Sequence, residues 1–402
     1  MSAPATAPLR RAPRRAGFRA FRVQIITVVF TSSLDGVARL CNDRAGPMKF
    51  SVCIPSHNSE AHLERTLRSV LVQEGVDLEV IVSDNASTDR SAEIVRGMAD
   101  PRVKLRVNAT NIGFAANLDR AASMATGEVM LVLPADDLMW PGALRIYQDV
   151  FTAVEGTPQT AIVTASAEQI DLDDRVTAPM LLDADLWRPD DRAERLPFPA
   201  SASVYTVPAD EVLRRTLRTF TNPFRLLGTA YPRALYERIE GYAAGGMTNP
   251  EKWFHWRLLG FASAAYFVDR PLFADRWDPS SLAARQDGAG ALKHMVDEYV
   301  NTVELPPVLL ERARMKREEI ERAFVEHGIA RSGFVELARN GSASARRILL
   351  FGATAYPARV ARSPKVWALA ALLASGPLGS TVAKLAYLRS GRFGRERWVQ
   401  RA

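Results

Sequence analysis

From Lys49 to Ala165, short apolar runs alternate with stretches whose apolar residues recur every three or four positions, and no other feature of the chain restricts its fold so tightly. The run "KFSVCI" predicts a strand over 49–54. Ser59 to Gln73, with Leu63, Leu67, Val70 and Leu71 on one face, predicts a helix, and Leu78 to Val82 a second strand. The series continues with a helix over 91–98, a strand over 103–107, and a helix from Phe114 to Ala125 stopped by Gly127. A strand over 129–133, a helix over 141–151 with Pro141 in its first turn, and a strand over 161–165 complete it. Such alternation implies an α/β fold: an open, mostly parallel sheet with helices on both faces.

In a sheet of this kind ligands bind beyond the carboxyl ends of the strands, so polar residues should gather in the loops that follow them. They do. Pro55-Ser56-His57-Asn58 follows the first strand, Asp84-Asn85 the second, Asn108 to Gly113 the third, and Asp136-Asp137 the fourth. Alone, Asp136 and Asp137 would serve as turn residues capping the next helix. Four polar loops on one edge make a site.

Residues 166–225 are less regular, with acidic and proline-rich stretches. Periodicity returns at 234–239; "PEKWFHWRLLGF" predicts a helix ending near Gly260, followed by a strand over 265–268. From about Leu292 the pattern is helical, including "PPVLLERARMKREEIERAFVEHG" with proline at its start and glycine at its end. Residues 366–388, broken by Ser375-Gly376-Pro377 and carrying Lys384, read as two short helices and not as a membrane span.

The net charge of +7 is unevenly distributed. Residues 1–47 hold 8 Lys/Arg against 2 Asp/Glu, residues 341–402 hold 11 against 1, and residues 48–340 hold 33 against 42. An acidic body with basic ends points to an anionic surface as partner, through the ends. Near the C-terminus the basic residues are mixed with Trp367, Tyr387, Phe393 and Trp398, as in helices that lie on an anionic membrane surface; a hairpin packed on the body with a solvated basic face is the structural alternative. The acidic body excludes a nucleic-acid groove. Residues 1–47, rich in Ala, Arg and Pro, are expected to be a disordered basic extension. The apolar stretch 23–30 is too short, and lacks the cleavage site, for a secretory signal. Two cysteines, Cys41 and Cys53, make no disulfide framework, and a reducing cytoplasm fits them.

"FSVCIPSHNSEAHLERTLRSVLVQ", "LEVIVSDNASTDRS", "NIGFAANLDRAASMATGEVMLVLPADDLMWPGAL" and, more weakly, "EGY" through "WRLLG" resemble an inverting family 2 glycosyltransferase of the GT-A fold. The resemblance runs from Met48 to about Arg276. It implies a GT-A domain over 48–285, followed by a helical C-terminal region over 286–402. It also implies transfer of a sugar from a nucleotide-diphosphate donor to an acceptor hydroxyl, in cell-surface polysaccharide or glycolipid synthesis, with a divalent metal (Mg²⁺ or Mn²⁺) as cofactor.

Carried onto this chain, the resemblance makes Asp136 the metal ligand, while Pro134 stands where many members of the family have a first acid. Nucleotide-sugar binding is implied for Pro55, Ser56, His57, Asn58, Asp84, Asn111, Gly113 and Asp137. Inversion needs a base opposite the leaving group, and alignment of Arg257-Leu258 with the family's helix puts Glu251 in that role, with Asp269 and Asp275 as competitors. Arg270 or Arg276 is placed to reach the diphosphate. The implied partners are a nucleotide-sugar donor, a saccharide or lipid-linked acceptor and an anionic membrane surface, at the cytoplasmic side. A sugar nucleotidylyltransferase would want a glycine-rich loop after the first strand, where this chain has Pro55 to Asn58. A non-catalytic membrane adaptor is the other alternative.

Overall fold

The computed structural model describes residues 48–154, 158–180, 183–193, 203–242, 250–278 and 288–389. The expected extension 1–47 and the basic residues beyond 389 lie outside them. Five strands open the chain: β1 Lys49–Ser56, β2 Asp77–Asp84, β3 Val103–Val107, β4 Val129–Val132 and the two-residue β5 Leu138–Met139. Between and after them run α1 Leu63–Leu71, α2 Ser91–Gly97, α3 Phe114–Ala122 and α4 Ala143–Ala153. Then follow β6 Ala161–Ile170, β7 Val176–Met180, β8 Ser203–Pro208, α5 Ala209–Thr219, β9 Ala230–Pro232, α6 Arg233–Arg238, α7 Glu251–Phe261 and β10 Ala264–Arg276.

The strands form one sheet in the order β3-β2-β1-β4-β9-β6-β10-β5, with β7 paired to β6 and β8 to β10. β3, β2, β1 and β4 are mutually parallel; β9 enters antiparallel between β4 and β6, and β6 and β10 are again parallel. Successive side chains of a strand point to opposite faces. Phe50, Val52 and Ile54 accordingly pack with α1 and α4 on one face, while Cys53, Ile81, Met130 and Val132 pack with α3, α5 and α7 on the other. Burial on both faces is why these strands are continuous apolar runs.

The helical remainder comprises α8 Gly288–Val303, α9 Pro307–Ala313, α10 Arg317–Ala323, a π-helical segment Phe324–Ala330, α11 Arg331–Arg339, α12 Ser342–Ala355, α13 Pro357–Ala361, α14 Pro364–Ala374 and α15 Gly376–Arg389. Leu309, Phe324, Ile348 and Val366 from this region share one core with α5 and α7. The break expected at Gly328 is absent: the chain runs through it as π-helix into α11, and the interruption falls at Arg314, in left-handed backbone with φ 52°.

Several boundaries differ from the sequence expectation for local reasons. Residues 59–62 form a turn ahead of α1 and do not join it; the N–H groups of Ser59 and Glu60 donate to Ser91 Oγ (2.8 Å) and Asp89 Oδ2 (2.9 Å) across the neighbouring loop. α4 starts two residues late, since Gly142 adopts φ 83° and cannot be part of a right-handed helix. The strand expected over 265–268 is thirteen residues long and passes through register shifts around Pro271. That extension carries Asp275 and Arg276 beside Asp136 and Asp137, through the pairs Phe273–Met139 and Ala274–Leu138.

Candidate active site

The parallel register aligns the ends of β1, β2 and β3, and buried amides knit the loops that follow. Asn85 Nδ2 donates to Asn111 Oδ1 (2.9 Å), while its Oδ1 accepts from Ile112 N (2.9 Å) and Asn108 Nδ2 (3.3 Å). Asn117 ties this cluster to β2 through Ser83 Oγ (2.7 Å) and Ser83 O (2.9 Å). Ser83, Asn85, Asn108 and Asn117 are buried and mutually satisfied, so they hold the loops in one arrangement.

On this frame Pro55 and Ser56 are buried at the end of β1, and Ser56 Oγ has no hydrogen-bond partner among the described residues. His57 is exposed, its Nε2 3.3 Å from Asn111 Nδ2. Asn58 serves the fold: at φ 51° its Oδ1 accepts from Thr88 N (2.8 Å) and its own N–H donates to Ser87 Oγ (2.9 Å). Asp84 is buried, and its carboxylate accepts from Ser87 N (3.0 Å) and Ser87 Oγ (2.5 Å). Gly113, at φ 84°, receives Asn111 Oδ1 on its N–H (2.9 Å) and opens α3.

The two acids after β4 have different surroundings. Asp137 is buried and accepts from Arg276 N (2.8 Å); burial, then repulsion from Asp136 and Asp275, raises its carboxyl well above the usual range. Asp136 is more open. Burial raises it too, and Asp278 adds to the rise, while His62 and Arg276 pull the other way. Asp275 is raised by burial and by Asp136, opposed by Arg225, whose Nη1 lies 3.6 Å from Asp275 Oδ2. Carboxyls raised by burial and by one another make an environment that a hard cation would relieve. Among the described residues no group of three or more His, Cys, Asp or Glu could hold a metal alone. A divalent ion here would complete its shell with water and phosphate oxygens, as Mg²⁺ ordinarily does.

Glu251 opens α7 and faces the same group. Burial pushes its carboxyl up to about 7, against the opposing influence of the Leu226 N–H, Arg225 and the Asn222 side chain. Asn222 is itself oriented: its Oδ1 lies 3.1 Å from Nδ1 of His255, which burial holds neutral with a pKa lowered to about 3. His255 is therefore a buried support and not a base. The first turn of α7 is fastened by Lys252, whose Nζ donates to Glu298 Oε1 (2.5 Å) and Phe220 O (3.1 Å) and lies 4.7 Å from the centre of the Phe220 ring.

The structure corrects the expectation for Arg276. Its side chain is fully buried, and its guanidinium donates to Asp136 O (2.7 Å), Asp171 O (2.6 Å) and Asp174, so it clamps the loop and cannot reach a diphosphate. Arg270 and Asp269 are exposed at the irregular part of β10, away from this group. Trp253 and Trp256 are core residues. Asn222 and Arg225 were missed by sequence reasoning; they lie in the irregular stretch after α5, where no period marked them. A cavity of about 430 Å³ between α3 and α6 is not this site: its Asp119 is already taken by Tyr236 Oη (2.8 Å) and Tyr242 N (2.7 Å).

Residues 51–156 match the family model described as Glycosyl transferase family 2. Abequosyltransferase RfbV of Salmonella typhimurium is 34% identical over 106 residues, 25% of this chain and 32% of its own length. The GalNAc(5)-diNAcBac-PP-undecaprenol beta-1,3-glucosyltransferase of Campylobacter jejuni is 34% identical over 99 residues, 24% of this chain and 32% of its own length. The chain thus spans about a third of the length of these relatives. In fold it is similar to S. aureus TarS 1–349, solved in complex with UDP-GlcNAc, with a TM-score of 0.55, 16% identity, and 86% of this chain and 92% of that chain covered.

Proposed function

We propose, from the premise that this chain carries a glycosyltransferase family 2 domain on a GT-A fold, that it transfers a sugar from a nucleotide-diphosphate donor to a hydroxyl of a saccharide or lipid-linked acceptor, with inversion. The observation that carries this reading is the Glu251 carboxyl, held near 7 beside Arg225 and across from Asp275, Asp136 and Asp137. A general base works best when its pKa lies near the working pH, because it is then both deprotonated and basic. Glu251 accepts the proton of the acceptor hydroxyl as that oxygen bonds to the anomeric carbon, and the nucleoside diphosphate leaves from the opposite face. Arg225, a cation beside the acidic group, offsets charge on the leaving diphosphate. The nucleoside lies against Pro55 to Asn58 with Asp84 as floor and Asn111 and Gly113 at its side. A divalent Mg²⁺ or Mn²⁺ held by Asp136 would stabilise the charge that develops on the leaving group.

TarS 1–349 is solved in complex with UDP-GlcNAc, and the Campylobacter relative is named for an undecaprenol-linked saccharide. UDP-sugars therefore head the list of donors to test, and a lipid-linked acceptor at the cytoplasmic membrane face leads the acceptors. Thermal unfolding with a panel of nucleotide sugars, with and without Mn²⁺, tests the donor site. One nucleotide class is expected to stabilise the protein in a metal-dependent way, by about 2.7 kcal/mol at a hundredfold excess over Kd. Asp136→Asn should lose the metal-dependent part; an unchanged shift in that variant overturns the metal assignment.

The pH profile gives a second check. Transfer (kcat/KM) should fall as pH drops through about 7, where Glu251 takes up a proton. The Asn222 side chain favours the charged carboxylate, so Asn222→Ala should move this limb to higher pH. A limb that stays in place in the variant removes Glu251 as its origin.

A further inference from the structure

We propose that the outer face of the C-terminal helices, centred on α15, is a docking surface for an anionic lipid bilayer. On α15, Leu378, Val382 and Leu385 are 69%, 46% and 50% exposed. They stand at i, i+4 and i+7, one line along a helix of 3.6 residues per turn, and Arg389 at i+11 continues that line, while Lys384 is exposed on the flank of the helix. The opposite face of the helix, with Gly379, Ala383 and Tyr387, is buried. That packing is close: a Cβ on Gly379 would stand 1.9 Å from the carbonyl oxygen of Leu372 in α14. α15 is thus docked through Gly379, Ala383 and Tyr387, while about half or more of each residue of the apolar line stays in water. An apolar line left in water at this cost marks an interaction surface.

Two other helices of this region also expose apolar side chains. Trp367 of α14 is 62% exposed although its Nε1 donates to Ala361 O (3.0 Å), so the ring is presented with its polar atom already satisfied. Leu350 of α12 is 67% exposed. Residues 341–389 contain seven Lys/Arg and no Asp/Glu. Arg359 and Lys365 pair with Glu321 and Glu326 of earlier helices, whereas Arg346, Arg347, Arg362, Lys384 and Arg389 make no ion pair among the described residues.

This combination selects the partner. A nucleic acid would use the cations and leave the apolar line in water; an apolar protein groove would leave the cations unanswered. A bilayer with anionic headgroups takes both, the leucines at the acyl boundary and the cations among the phosphates. No described helix is long and apolar enough to cross a membrane. α15, with 14 residues, spans about 21 Å and so lies on the surface. The surface stands without the transferase reading; if both hold, it brings the site to the place where a lipid-linked acceptor resides.

The test is sedimentation of the full chain with phosphatidylcholine vesicles that contain or lack phosphatidylglycerol, with no nucleotide sugar present. The protein should sediment with the anionic vesicles only and be released by salt. L378S/L385S, which leaves the charge unchanged, should weaken this at least tenfold, and K384Q/R389Q about 30-fold, with thermal unfolding like that of the parent in both. Absence of binding to anionic vesicles, equal binding to neutral ones, or parental binding by L378S/L385S overturns the proposal. So does a change in oligomeric mass in L378S/L385S with vesicle binding intact, because the line would then join two copies of this chain.

Discussion

Glu251→Gln is expected to lower the rate of transfer by about 10²- to 10⁴-fold while leaving donor binding intact, the loss ordinarily seen when a positioned general base is removed. The substitution keeps the shape of the side chain and removes its ability to take a proton. Its effect on stability distinguishes loss of chemistry from loss of structure. A carboxyl raised from 4.5 to about 7 on folding binds its proton more tightly in the native state. Its contribution is therefore present at low pH and is lost as pH rises from 4.5 through about 7. Glutamine carries no such charge, so at pH 8 the variant should unfold at a temperature at least as high as the parent. Single-turnover rates with a donor that still shifts the unfolding temperature read both quantities in one preparation. Full turnover by Glu251→Gln would remove it as the base and leave Asp275, the other raised carboxyl beside Arg225, to be tested next.

The second large effect lies at the other end of the sheet. Glu79→Ala should destabilise the protein by about 2–4 kcal/mol in urea unfolding, with activity per folded molecule unchanged. Glu79 is buried in β2, where its carboxylate accepts from Ser51 Oγ (2.6 Å), Thr126 N (2.6 Å), Gly127 N (3.2 Å) and Lys104 Nζ (2.7 Å), with Lys49 Nζ 3.3 Å away. Burial alone would raise this carboxyl, but the hydrogen bonds from Lys104, Ser51 and Thr126 outweigh it and hold it far below its usual value. Truncation leaves the buried Ser51 hydroxyl and Gly127 N–H without this acceptor, each an appreciable cost, while water can reach the lysines. A lowered pKa stabilises above the unfolded-state value of 4.5, and that stabilisation is lost as pH falls below it. The stability gap between parent and Glu79→Gln should therefore narrow as pH is lowered from 5 to 3. Glu79 is five residues, about 16 Å, from Asp84 at the ligand end of the same strand, which is why activity is spared.

The parallel half of the sheet was legible because its information is local. β1, β2 and β4 are buried on both faces, so "KFSVCI" and "VMLVL" are continuous apolar runs, and the helices between the strands carry one apolar face. The mixed half was not legible for the converse reason. β8 pairs with β10 across some sixty residues, and "SAEQ" of β6 is strand only because β7 and β10 lie on either side of it. α5 did carry a signal, apolar at Val212, Leu213 and Leu217 around Thr216, that the surrounding prolines and acids obscured.

By itself the sequence determined which residues end the parallel strands, and hence that His57, Asp84, Asn111 and Asp136 share one edge, since strand direction and period follow from neighbouring residues. Only the tertiary structure decided what each of them does there. Asp137 and Arg276 are spent on holding the loop, Asp136 is left open, and Glu251 is raised to about 7 by burial and by Asp275 against the opposing influence of Arg225 and Asn222, residues distant in the chain. Protonation depends on burial and on charges brought close through space, and no local pattern records that arrangement.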